Sequence, residues 1–244
     1  MTAPRPRTAR APSLGSATLL LIPTELELRR FLDLGGLPPG LAQIELCGFG
    51  VVAAAARSAQ LIARLRPGRV LLVGIAGAYD TVAHPVGEAF EFSEVALEGV
   101  GVGSGADLMP PPDLGFPQWP GSQSGPGSRR IDMRLSLASG EAPAQEGLAG
   151  GPVLLTTCAA SADVQQAALR RERCPAAAAE DMEGFSVAMA CDLADVPLRI
   201  VRGISNRVGD RDSSNWRIPG ALAAARRLAI ELLGSTDPWP ESPA

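Results

Sequence analysis

The chain has 244 residues, room for one large domain or two small ones, and its 46% hydrophobic and 20% charged residues exclude disorder along its whole length. A net charge of −4 argues against nucleic acid or an anionic membrane surface as the main partner, since either would select a basic face. All 22 basic residues are arginine and the single histidine is His84, which excludes a Schiff-base or P-loop lysine, a Ser–Lys dyad and a multi-histidine metal site.

Residues 1–14, rich in Arg, Pro and Ala, read as a flexible leader. The apolar run behind them is short, lacks a small-residue cleavage site and meets Glu25 and Glu27 at once, unlike a secretory signal. Ala17–Ile22 reads as a buried strand. Glu25–Leu34 follows as a short helix with Thr24 as its N-cap. Ala42–Cys47 is a second strand, and Gly48-Phe49-Gly50 bends the chain into an alanine-rich helix over Val51–Leu65. Pro67-Gly68 ends that helix before a third strand, Arg69–Gly74. Glu88–Leu97 alternates as one strand.

Residues 99–128 are dense in Gly and Pro and form an irregular insertion. Their Gly101-Val-Gly103-Ser-Gly105-Ala106 run touches the dinucleotide fingerprint, but Pro110-Pro111-Pro112 stands where that motif needs a helix. Regular structure resumes over Arg130–Leu137, then Val153–Thr157 is a strand and Asp163–Arg173 a helix. Ala177–Leu193 is read as a helix, Leu198–Ser205 as a strand and Ile218–Leu233 as a closing amphipathic helix, with a Pro-rich tail over 235–244. Strands alternating with helices through tight Gly turns predict one α/β domain over 15–234, its twisted, mixed and largely parallel sheet flanked by helices.

Four scattered cysteines without CxxC spacing read as reduced, small core residues of a cytoplasmic protein. Three residues border otherwise apolar elements and are candidates for chemistry. Glu183 sits among Ala, Val, Met and Phe, as either a hydrated helix start or a buried acceptor. Asn206 follows the apolar strand 198–204, at the strand end where open α/β sheets bind ligands, though such an asparagine can equally be a turn residue. Glu27 alone reads as a solvated helix-face charge. The arginines from Arg207 to Arg217, interleaved with Asp210 and Asp212, fit a surface ion-pair loop or an anion clamp.

In order, Pro23-Thr24-Glu25-Leu26-Glu27, Gly48-Phe49-Gly50-Val51, Val73-Gly74-Ile75-Ala76-Gly77 and Glu180-Asp181-Met182-Glu183-Gly184 resemble the purine nucleoside phosphorylase and nucleosidase superfamily. A fifth block, 201–212, with Trp216 and Ile218 behind it, resembles the futalosine hydrolase branch. The resemblance implies a homodimer or higher homo-oligomer without metal or organic cofactor. Its implied reaction is hydrolysis of a purine nucleoside's N-glycosidic bond, releasing hypoxanthine on a route to menaquinone.

The resemblance implies that Glu183 accepts hydrogen bonds from the ribose hydroxyls, that Met182 packs against sugar or base, and that Glu27 rather than Glu25 holds the attacking water. Ala76 and Gly77 border the substrate, and Arg207 or Arg211 is a candidate partner for a substrate carboxylate. Adenosine-type relatives carry an aspartate where this chain has Asn206. An amide can donate to O6 and accept from N7–H at once, which favours a 6-oxopurine. Leu72 stands where phosphorylases place a phosphate-binding arginine, so water is the expected nucleophile. Alternatives at this stage are a nucleosidase or phosphorylase for methylthioadenosine, S-adenosylhomocysteine or inosine, and a non-catalytic nucleoside-binding protein.

Overall fold

The computed structural model describes residues 17–123, 125–137, 151–235 and 239. The leader expected over 1–14 lies outside the described residues, as does the expected tail except for Ser235 and Trp239. The first strand, β1 (Thr18–Ile22), is buried at all five positions, as strands covered on both faces are. It lies parallel between β2 (Gln43–Leu46) and β3 (Arg69–Ala78). β3 pairs in parallel with β9 (Leu198–Arg207), to which β4 (Ala89–Phe92) adds antiparallel.

Beyond Leu72, β3 exchanges its neighbour. Gly77 and Ala78 pair antiparallel with β8 (Ala177–Asp181), and the sheet continues through β7 (Val153–Thr157), β5 (Glu94–Glu98) and β6 (Arg134–Ser136). β3 is thus shared by two half-sheets. Between Leu72 and Gly77, one of its edges has no paired strand among the described residues. Such a switch point opens a crevice at the strand ends.

Side-chain alternation sends neighbouring residues into opposite layers. Leu20, Ile22, Leu71 and Val73 face α1 (Glu25–Asp33) and α5 (Ile218–Gly234), meeting Phe31, Ala225 and Ala229. Leu19, Leu21, Val70 and Leu72 belong to the cluster under α2 (Gly50–Leu65) and α4 (Gly184–Asp192), with Leu61 and Phe185. α3 (Val164–Arg173), capped by Asp163, packs Ala167 against Leu155 and Val208. The mixed, mostly parallel sheet between helices matches the expected class. No helix among the described residues is long and apolar enough to cross a membrane.

Three local expectations need correction. Ala177–Leu193 is not one helix: Ala177–Asp181 is strand β8, and the helix starts only at Gly184. An alanine run carries no side-chain phase of its own, and the open edges of β7 and β3 supply its backbone with partners. Glu88–Leu97 is two strands, β4 and β5, because the apolar phase slips between Phe92 and Val95; the chain there crosses from β9 to β7. Finally, Cys158 is exposed, whereas Cys47, Cys174 and Cys191 are buried.

The Gly/Pro insertion holds two short 3₁₀ turns, Gly105–Asp107 and Pro111–Leu114, and no helix follows its glycine run. It is tied to the body by the Trp119–Ile131 bridge and by the Arg129–Asp192 ion pair with α4.

Candidate active site

The crevice where β3 changes partners collects four charged side chains. Glu27 arrives as the third residue of α1, in a capping box. Thr24 N–H donates to its Oε2 at 3.1 Å, and Glu27 N–H donates back to Thr24 Oγ1 at 3.2 Å. Its other oxygen accepts the N–H of Ile75 at 3.0 Å, on the edge of β3 that neither β1 nor β8 occupies. Glu27 is therefore buried, at 4% exposure, and is not the solvated charge its sequence context suggests. Glu25 points to solvent and pairs with Arg29.

Glu183 caps α4 rather than lying within it, because β8 ends just before. Its Oε1 accepts the N–H of Gly50 at 3.0 Å, at the N-terminus of α2, where the helix dipole favours an anion. Gly50 has φ of +80°, a backbone state that a side chain would strain. Even so, burial pushes the Glu183 carboxyl up to about 7, against the lowering pull of Arg202; nearby Asp181 reinforces the rise.

Arg202 organises the group. It is fully buried and donates Nε and Nη2 to Asp181 Oδ2 at 3.1 and 2.5 Å, and Nη2 to Glu183 Oε2 at 3.4 Å. Asp181 also takes the Thr156 hydroxyl at 2.7 Å and the Gly184 N–H at 2.8 Å. Of the three guanidinium nitrogens of Arg202, Nη1 has no partner among the described residues. It lies beside Gly74: a Cβ there would overlap Nη1 outright and stand 2.8 Å from Glu27 Oε1. Gly74 is thus the gap through which a donor and an acceptor reach the same corner. Cys47 lines this region too, its thiol pushed up to about 12 by burial.

Asn206 lies near the C-terminal end of β9, opposite Gly77 on β3. A Cβ on Gly77 would sit 3.4 Å from Asn206 Nδ2, so Gly77 and buried Ala76 shape this end. Nδ2 donates to Arg207 O at 2.8 Å, and Oδ1 accepts from Ser205 Oγ at 2.7 Å. A carbonyl can only accept, which fixes the orientation of the amide. Among the described residues, one N–H and one lone pair of the amide remain uncommitted, on a residue only 8% exposed.

Met182, half-buried, precedes Glu183. Arg207 and Arg211 do not join these residues. Arg207 lines a groove of about 170 Å³ against α3 with Tyr79 and Arg171, and Arg211 lies over the Trp216 ring at 5.2 Å. No metal-ligating cluster occurs among the described residues.

Sequence reading missed Arg202, Asp181 and Thr156. The usable signal for Arg202 was an arginine amid the apolar run Ile200-Val201-Arg202-Gly203-Ile204. Position 72 on β3 is a leucine as read, but β9 brings the Arg202 guanidinium to β3 beside Gly74. It is balanced by three carboxylates: Asp181 and Glu183 in direct contact, and Glu27 across Gly74.

No family model matches the chain. It is 35% identical over 170 residues to the futalosine hydrolase of Streptomyces coelicolor, across 70% of this chain and 67% of that one. To the futalosine hydrolase of Thermus thermophilus it is 34% identical over 224 residues, across 88% and 94% of the two chains. The native futalosine hydrolase structure from Helicobacter pylori superposes with a TM-score of 0.66 at 17% identity, covering 89% of this chain and 97% of that one, a likeness of fold.

Proposed function

The chain belongs to the futalosine hydrolase family, whose members are N-glycosyl hydrolases, and from that premise we propose that it cleaves futalosine with water to release hypoxanthine for menaquinone synthesis. The observation that carries the choice of base is the Asn206 carboxamide, buried and neutral, with one N–H and one lone pair to offer. Hypoxanthine presents O6 as an acceptor and, once protonated, N7–H as a donor. The amide matches both, and adenine's 6-amino group would meet the wrong polarity.

As the C1′–N9 bond breaks, its electron pair leaves with the purine and the ribose becomes cationic. Glu183, ionised, accepts hydrogen bonds from the ribose hydroxyls, and these strengthen as the sugar gains positive charge. Glu27 Oε1 and Arg202 Nη1 meet beside Gly74 as an acceptor and a donor for one water molecule. That water attacks C1′ and passes its proton to Glu27, while the departing purine takes a proton at N7 from solvent. Met182, Ala76 and Gly77 border the substrate.

Three carboxylates around one guanidinium make the crevice anionic, which disfavours phosphate as nucleophile. The four free thiols fit a reducing cytoplasm. A homodimer fits the exposed apolar face of α2, where Phe49, Val52, Ala53 and Ala56 stand next to the Gly50–Glu183 contact. A second copy seated there would close the crevice, and sedimentation should then read twice the chain mass.

Chromatography of the purified protein with futalosine, methylthioadenosine and inosine, each with and without phosphate, tests the reaction. Hypoxanthine from futalosine without phosphate is the expected result. Adenine release, or strict dependence on phosphate, overturns it.

A further inference from the structure

A second buried polar cluster lies one residue along β8, and the mechanism above does not use it. Glu180 accepts four hydrogen bonds. Ser161 N–H reaches Oε1 at 2.7 Å, and Tyr79 O–H, Ser161 O–H and Arg170 Nη1 reach Oε2 at 2.8, 2.7 and 3.1 Å. Arg170 Nη1 also approaches Ser161 Oγ at 2.8 Å, and its Nη2 donates to Ala159 O at 2.7 Å. Both ionic side chains are buried, at 8% and 5% exposure. Three further segments therefore converge on one carboxylate of β8: the end of β3, the loop after β7, and α3.

The place of this knot in the sheet gives it a consequence. Glu180 stands opposite Gly77 on β3, and Gly77 stands opposite Asn206 on β9. Along the chain, Glu180 is three residues before Glu183, at the turn from β8 into α4. Asp181 next to it takes Arg202. Two successive carboxylates thus pin β8 from both sides, one to α3 and its loop, the other to the guanidinium of the crevice. A buried ion pair is a poor source of stability, since apolar replacements of similar size commonly match it; its strength is geometric definition.

We propose that Glu180, with Arg170, Ser161 and Tyr79, is a positioning unit that sets the separation between Glu183 at the sugar end and Asn206 at the base end. The proposal rests on the nucleosidase reading for its catalytic consequence. The unit touches no reacting atom and acts through β8 and β3. Displacement of a catalytic group by about 1 Å can cost about 100-fold in rate.

The test is the double variant Arg170→Met with Glu180→Leu, which removes both charges together and leaves neither buried alone, with Tyr79→Phe as the mild companion. Circular dichroism and melting should show a folded double variant close to the wild type. Its kcat for base release should fall by about 30- to 100-fold with KM changed less than about threefold, because misplaced groups weaken interactions made only in the transition state. Tyr79→Phe should lose a few-fold in kcat at unchanged melting temperature. A folded double variant with wild-type kcat overturns the proposal. Crystal structures of wild type and double variant supply the second readout: the Glu183–Asn206 separation should change, and an unchanged separation overturns the proposal whatever the activity. If the wild type itself releases no base, the nucleosidase reading has failed, and the separation alone decides whether the unit positions β8. If the double variant does not fold, Tyr79→Phe decides, with wild-type kcat counting against the proposal.

Discussion

Replacing Glu183 by glutamine should cut turnover steeply and, at alkaline pH, stabilise the fold. Burial raises this carboxyl from 4.5 to about 7, because the charged form is disfavoured away from water more than Arg202 restores it. The native state therefore binds a proton more tightly than the unfolded chain does. The stability that this protonation contributes is complete below about pH 4.5 and is lost as the pH rises through about 7. The linkage relation gives a contribution smaller by about 2–3 kcal/mol at about pH 8 than at about pH 5. Glutamine resembles the protonated acid and does not titrate, so its stability lacks this slope.

Urea or thermal unfolding of both proteins at the two pH values should show the wild type losing about 2–3 kcal/mol relative to the variant, roughly 5–10 °C in a domain of this size. Turnover of the wild type should fall as Glu183 protonates below about pH 7, and the variant should lose about 100- to 1,000-fold in kcat. Parallel stability profiles for the two proteins would refute the assigned burial cost. Full activity in the variant would refute the role at the ribose.

Gly74→Ala places a methyl group on Arg202 Nη1 and against Glu27 Oε1, and Pro23 Cδ at 3.2 Å blocks a sideways escape. It should destabilise the fold by about 1–3 kcal/mol and abolish measurable turnover, read by denaturant melts and base release. Asn206→Asp sets a carboxylate oxygen against the Arg207 carbonyl, which favours a protonated acid there. The ratio of kcat/KM for adenine-bearing over hypoxanthine-bearing substrates should rise by at least about tenfold, with a new loss of activity at alkaline pH.

Much of the site could be read along the chain, because some of its parts are local. Thr24 and Glu27 form a capping box within four residues, although the burial of Glu27 depends on the distant Ile75 N–H of β3. Asn206 is marked by its place at the end of an apolar strand. The helices α2, α3 and α5 and the strands β1 and β7 are stated by their own periodicity and caps. Alternation was misleading at Ser93, where a slip of one residue hides a change of partner strand.

Amino-acid order by itself therefore determined the layered α/β class and the ends of most elements, while the resemblance of its motifs singled out Glu27, Glu183 and Asn206. Only tertiary structure decided that Ala177–Asp181 is a strand, since its alanines satisfy either pattern and the choice belongs to the free edges of β3 and β7. It also decided that Arg202 is the hub. A guanidinium can be buried there because Glu27, Asp181 and Glu183, from three different places in the chain, gather at the one stretch of β3 that has lost its neighbour, and no local pattern encodes a charge balance built across that distance.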